Sequence, residues 1–202
     1  MKDCFELLQE DRRPWLEPEA LKRKFLSLSA QLHPDRVHGA TDSEKREAQQ
    51  RYAELNAAYN RLREPKDRLL HLLELELGAR PRDVREIPGE LISLFSEINQ
   101  NCKETDALLA EKTRVTSPLL KVQIFDRAQE QSQRLAALRQ RISSRLETLL
   151  AQIQAIDREW MSEGRSPKRK MALQQLEELS GPLSYFTRWM TQIQERIVLL
   201  AM

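Results

Sequence analysis

Three consecutive residues, His33-Pro34-Asp35, hold the most chemical potential in this 202-residue chain. They close an apolar series, Leu21, Phe25, Leu28 and Leu32, whose four-, three- and four-residue steps trace one face of a helix. His33 therefore falls near the negative end of that helix, where a cation or an N–H donor is favoured. Pro34 has no N–H and restricts the residue before it, so the helix stops and the backbone leaves at a fixed corner. Asp35 projects from that corner with a carboxylate able to take a bidentate arginine from another molecule. Lys22, Arg23, Lys24 and Arg36 surround it with positive charge, which would steer an acidic surface toward it. Any one of these four also fits the blander role of solvating a helix face.

Catalysis is a poor use for the same residues. An acid–base pair needs a partner held within hydrogen-bonding reach and a cleft that excludes water, and an exposed helix end offers neither. The chain is therefore not expected to be an enzyme. His38, His71, Cys4 and Cys102 lack metal-ligand spacing, so no metal and no cofactor is expected, and His71 reads as a surface or partly packed residue. Lys168-Arg169-Lys170 reads as a solvated turn. Trp15, Trp160 and Trp189 do not interleave with basic residues as stacking platforms do, and the formal charge is only +2, so nucleic acid is not an expected partner. No apolar run approaches the roughly 20 residues that span a bilayer. The first residues meet acids at once, unlike a signal peptide. Two cysteines make no disulfide framework and fit a reducing compartment, so the expected location is the cytoplasm.

The elements that must position the corner are helical. Charged residues make up 32% of the chain, glycine occurs only five times and leucine 32 times, a composition that favours an all-α fold. A short first helix is predicted within residues 3–9, with Phe5, Leu7 and Leu8. The second starts near Pro18-Glu19, and the third, capped by Thr41 or Asp42, buries Ala48, Tyr52, Leu55, Tyr59 and Leu62. Pro65 opens a leucine-rich fourth helix closed by Gly78. The second and third helices form a hairpin flanked by the first and fourth. Residues 79–89, with two prolines and a glycine, read as a linker between a domain over 1–78 and another over 90–202. There Leu91, Phe95, Ile98, Cys102 and Leu109 mark one helix. Leu135, Leu138, Ile142, Leu146, Leu149, Ile153, Ile156 and Trp160 mark a seam in a very long one, either a protruding arm or a helix with a hidden break. Phe186, Met190, Ile193, Ile197 and Leu200 mark a last helix that Gly181-Pro182 interrupts. An antiparallel three-helix bundle or coiled-coil hairpin is the expected arrangement.

With these residues in place, residues 2–78 resemble a J-domain, the module that activates DnaK-type chaperones. The resemblance rests on Asp3-Cys4-Phe5-Glu6-Leu7-Leu8, on His33-Pro34-Asp35, and on Leu55-Asn56-Ala57-Ala58-Tyr59 followed by Leu62-Arg63-Glu64-Pro65. Cys4 stands where an aromatic is more usual, and Leu26 and Ser27 stand where many J-domains carry further basic residues. Pro65-Lys66-Asp67-Arg68-Leu69-Leu70-His71-Leu72-Leu73-Glu74-Leu75 is similar to the segment that closes the J-domain in the HscB family. That family pairs a J-domain with a C-terminal helical bundle and serves iron–sulfur cluster assembly. The resemblance implies a DnaK- or HscA-type chaperone as partner, docked through His33, Pro34, Asp35, Lys22, Arg23, Lys24 and Arg36. It also implies the iron–sulfur scaffold protein as client, held by Leu91, Ile92 and Phe95 with Tyr185 or Phe186, although these positions equally suit a bundle core. Ser96 and Asn99 fall where acids are expected, with Glu97 nearby. Two alternatives stay open: a J-domain adaptor for a different client through a coiled-coil arm, and a structural protein whose J-like fold no longer works on a chaperone.

Overall fold

The computed structural model describes residues 2–32, 41–79, 88–162 and 167–202, with nothing stated of the side chains of residues 162 and 167. Its α-helices are α1 (Cys4–Leu7), α2 (Pro18–Leu32), α3 (Asp42–Arg63), α4 (Pro65–Leu77), α5 (Ile92–Lys112), α6 (Pro118–Ser162) and α7 (Pro167–Ala201), with a 3-10 turn at Gly89–Leu91. No strand occurs among the described residues. Packing gathers the chain into two compact units: Met1–Arg82 with Leu150–Ser180, and Asp83–Leu149 with Gly181–Met202.

In the first unit, local chemistry sets each helix end. The Asp3 carboxylate accepts from the Phe5 N–H at 2.9 Å and so caps α1, and Gln9, at φ +54°, turns the chain out of it. Thr41 and Glu44 form a reciprocal capping box at the start of α3, worth about 1 kcal/mol. Pro65 occupies the first turn of α4, where a missing N–H costs nothing, and Gly78 closes it in the left-handed region at φ +71°. The helices α1, α2 and α4 all pack on α3. Phe5, Leu8, Leu21, Leu55, Leu62, Leu69, Leu72 and Leu73 are fully buried between them. Burying each such side chain contributes roughly 1.5–3 kcal/mol, so the short α1 is held by its two apolar residues rather than by its length.

The second unit is a three-helix bundle whose directions follow from its polar contacts. Glu97 meets Arg141 at 2.6 Å and Glu111 meets Arg127 at 2.9 Å, so α6 descends as α5 ascends. Asp106 takes both arms of Arg196 at 2.9 and 2.8 Å, and Lys112 reaches the Leu200 carbonyl at 3.4 Å, so α7 runs with α5 and against α6. Gln131 donates to the Asn101 carbonyl at 3.1 Å and to the Thr105 hydroxyl at 3.2 Å inside the bundle, which fixes the register of α5 on α6.

One open alternative closes and two expectations change. The helix α6 is unbroken over its 45 residues, about 68 Å at 1.5 Å per residue. Gly181-Pro182 does not interrupt α7, which carries Pro182 inside it. The core stripe of α5 is Leu91, Leu94, Ile98, Cys102, Thr105 and Leu108, with Phe95 and Leu109 turned to its flank. Leu94 and Leu108 compete for the same face, and bundle packing selects them.

Candidate functional site

The basic face of α2 is positioned by its opposite side. Leu21 is buried, and Phe25 stacks on Tyr59 of α3 at 4.1 Å with the rings 10° from parallel. That leaves Lys22 and Arg23 exposed, with Leu26 beside them. Lys24 has a different setting: its ammonium bonds the Gln9 carbonyl and lies 3.0 Å from the Glu10 carboxylate, tying α2 to the loop after α1. His33, Pro34, Asp35 and Arg36 lie outside the described residues.

Two polar side chains buried in α4 brace this hairpin. Arg68 is buried between α3 and the loop before α2, donating to the Pro14 carbonyl at 3.0 Å and the Leu62 carbonyl at 2.8 Å. Its guanidinium lies 5.2 Å from the centre of the Trp15 ring. Burial pushes its pKa down to about 10 against the pull of Asp157 and Glu64, so it stays charged at neutral pH. Asp157 of α6, itself buried, accepts from Arg13 Nε at 3.0 Å and from the Trp15 N–H at 3.1 Å. Trp160 donates to the Arg12 carbonyl at 2.7 Å, and Arg169 of α7 stacks over the Trp160 ring at 3.9 Å.

His71 is fully buried rather than superficial. Its Nε2 accepts the Cys4 N–H at 3.0 Å, satisfying a donor at the start of α1 that the helix cannot satisfy itself. The proton therefore sits on Nδ1, which has no hydrogen-bond partner; Glu74 stands 3.8 Å away with its carboxylate held by Arg61 at 2.6 Å. Desolvation, then Arg61, pushes the His71 pKa below its ordinary value. The Cys4 thiol is pushed up by burial and is not poised for chemistry.

In the bundle, the residues singled out for client contact divide by depth. Leu91, Tyr185 and Phe186 are buried, Phe95 is half-buried and Ile92 is exposed. The structure gathers the aromatic ones around Trp189, whose ring centre lies 6.2 Å from Phe95, 5.6 Å from Tyr185 and 5.9 Å from Phe186. Ile92 and Phe95, three residues apart, share the outer face of α5 beside this cluster. Glu97, the nearby acid, is paired with Arg141.

Trp189, Arg68 and Asp157 are not among the candidate site residues read from the sequence, yet each carries a signal there. Trp189 follows Tyr185 and Phe186 at four and three residues. Arg68 abuts a leucine run too dense to leave it in water. Asp157 lies on the apolar stripe, four residues after Ile153 and three before Trp160. Among the described residues no group of His, Cys, Asp and Glu could hold a metal ion, and no helix is long and apolar enough to cross a membrane.

Helical hairpin, bracing helix and three-helix bundle together define an all-α protein in which an exposed basic helix face and an aromatic cluster belong to one chain. No protein-family model matches it. Curated relatives do: a co-chaperone HscB homolog of Paraburkholderia phytofirmans is 36% identical over 118 residues, covering 53% of this chain and 67% of the relative. One from Burkholderia thailandensis is 33% identical over 123 residues, covering 55% and 70%. Among solved structures, the chaperone HscB from Vibrio cholerae aligns with a TM-score of 0.66 at 18% identity over 96% of both chains. The human co-chaperone HscB aligns with a TM-score of 0.55 at 20% identity over 98% of this chain and 82% of that one. At those identities the solved structures speak for the fold; the curated relatives carry the family. The chain belongs to the HscB co-chaperone family.

Proposed function

We propose that the chain triggers ATP hydrolysis by a DnaK- or HscA-type chaperone and delivers to it the scaffold protein of iron–sulfur cluster assembly, catalysing no step itself. In this reading residues 1–78 dock the chaperone through His33, Pro34 and Asp35 with Lys22, Arg23, Lys24 and Arg36, residues 79–89 link, and residues 90–202 hold the client. The observation that supports it most directly is the α2–α3 hairpin, whose Phe25–Tyr59 stack turns Lys22 and Arg23 to water, in a chain of the HscB family. Lys24, already committed to Gln9 and Glu10, contributes less to docking than its neighbours. For the client, Ile92 and Phe95 are the contact residues, while Leu91, Tyr185 and Phe186 act by shaping the surface from beneath.

Steady-state ATPase measurements with the chaperone test the docking. Wild type is expected to stimulate turnover and His33→Gln to abolish the effect. Lys22→Ala with Arg23→Ala is expected to weaken it several-fold, most clearly at low salt, where exposed charges are least screened. No stimulation by wild type, or equal stimulation by His33→Gln, removes the reading. Pull-down with the scaffold protein tests the client surface, and retention of full binding by Ile92→Ala with Phe95→Ala would show that the client sits elsewhere or is another protein.

A further inference from the structure

The first turns of α6 break the pattern of the rest of the bundle. Arg127 lies beside Glu111 near the last turn of α5, which ends at Lys112. Lys112 in turn reaches the Leu200 carbonyl near the last turn of α7. Going back from Arg127 to Leu119, α6 therefore runs on past both neighbours for about 12 Å at 1.5 Å per residue. Ile124 and Ala128 face inward at 4% exposure each, but Leu119, Leu120, Val122 and Phe125 are exposed by 71, 47, 60 and 66%. Val198 and Leu199 stand 48 and 49% exposed at the same end of the unit. Leu119, Val122 and Phe125, at three-residue steps, make an apolar stripe on the side of α6 away from the core.

We propose that this overhang is a self-association surface, on which a second copy of the chain packs its own Leu119, Val122 and Phe125. The area fits. At roughly 150–200 Å² for a fully exposed large side chain, the three stripe residues, about two-thirds exposed, offer on the order of 350 Å² of apolar surface. At the apolar share of an ordinary interface that corresponds to about 600 Å² per copy, the small end of specific interfaces and suited to a weak, concentration-dependent pair. The surrounding charge also fits a copy of itself rather than a polyanion or an anionic lipid surface. Lys121 and Asp126 oppose one another in sign, and Arg127 is already paired with Glu111 at 2.9 Å. Such a contact is isologous and closes on two copies.

Sedimentation equilibrium of the full chain from about 1 to 200 µM tests the proposal. The weight-average mass is expected to rise from the 23.7 kDa of one chain toward twice that value. Val122→Glu with Phe125→Glu, both at exposed helical positions, is expected to weaken association at least tenfold while leaving the helical circular dichroism and its melting unchanged. A wild type that stays at one chain's mass across the range overturns the proposal, as does association that the double variant leaves intact. Flotation of a monomeric wild type with phosphatidylserine vesicles would assign the overhang to a lipid surface instead.

Discussion

His71 shows how one buried ring can set the conditions under which the N-terminal helices hold together. Its Nε2 accepts the Cys4 N–H, so the fold needs the neutral imidazole, and burial makes the charged form costly. The folded-state pKa therefore lies below the 6.5 of an unperturbed histidine, which the unfolded chain keeps. Below pH 6.5 the unfolded state binds more protons than the folded one, so stability falls as pH drops and levels off once pH passes below the folded-state pKa. Urea midpoints between pH 7.5 and 5 should fall more steeply for wild type than for His71→Phe. That variant loses about 1–3 kcal/mol at neutral pH by stranding the Cys4 N–H but has no imidazole to charge. Parallel pH profiles for the two proteins would show that His71 is not the responsible group. In the sequence His71 reads as a surface or partly packed residue, although it stands in a leucine run. Only the docking of α1 on α4 shows that the run is buried on both of its flanks.

Among the elements, α7 carries the plainest internal conflict. Pro182 sits inside it and removes an intrahelical hydrogen bond, a defect that costs up to about 3 kcal/mol in an ordinary helix. The helix continues because Leu176, Leu183, Phe186 and Trp189 are buried on either side of the defect. Pro182→Ala restores the N–H and should raise stability by about 1–2 kcal/mol, the remainder lost with the half-buried ring, seen as a higher thermal midpoint. An unchanged or lower midpoint would mean that the packing requires the proline's shape. Helix ends set by caps and breakers are legible in the residues alone: Pro18, Thr41 (one of the two cap candidates), Pro65 and Gly78 all stand where elements begin or end. Features decided by packing are not. The periodicity of α5 admits Phe95 or Leu94 on the core face, and only facing α6 and α7 decides for Leu94. Lys24 likewise belongs to the basic series in sequence, but its ammonium is drawn to the loop carrying Gln9 and Glu10. The residues from His33 to Arg36, proposed for docking, lie outside the described residues.

For the whole molecule, the question is what the N-terminal helices need in order to stand. Their unit extends to Leu150–Ser180, and the chemistry there explains why. Asp157 supplies the acceptor for the Arg13 side chain and the Trp15 N–H, and the nearby negative charge that opposes the desolvation of Arg68. Trp160 covers the same loop and satisfies the Arg12 carbonyl, and Arg169 joins Glu76 of α4 at 3.2 Å. A fragment ending at residue 79 keeps the helices α1 to α4 but exposes this face and takes Asp157 away from Arg13 and the Trp15 N–H, and its charge from the neighbourhood of Arg68. Removing one member of a buried charge pair costs about 3–5 kcal/mol, reduced here because Arg13 is partly exposed and water can replace some lost bonds. The fragment should therefore be less stable than the same helices in the full chain by about 2–4 kcal/mol, a large part of a small domain's total. Urea titration followed by helical circular dichroism gives the fragment's stability, with Trp15 fluorescence reporting the loop. Amide exchange at Leu55, Leu62 and Leu72 gives the corresponding opening free energy in the intact protein. Equal values would mean that Leu150–Ser180 merely lies against helices able to stand alone. A deficit reproduced by Asp157→Ala in the full chain would trace the dependence to that one carboxylate.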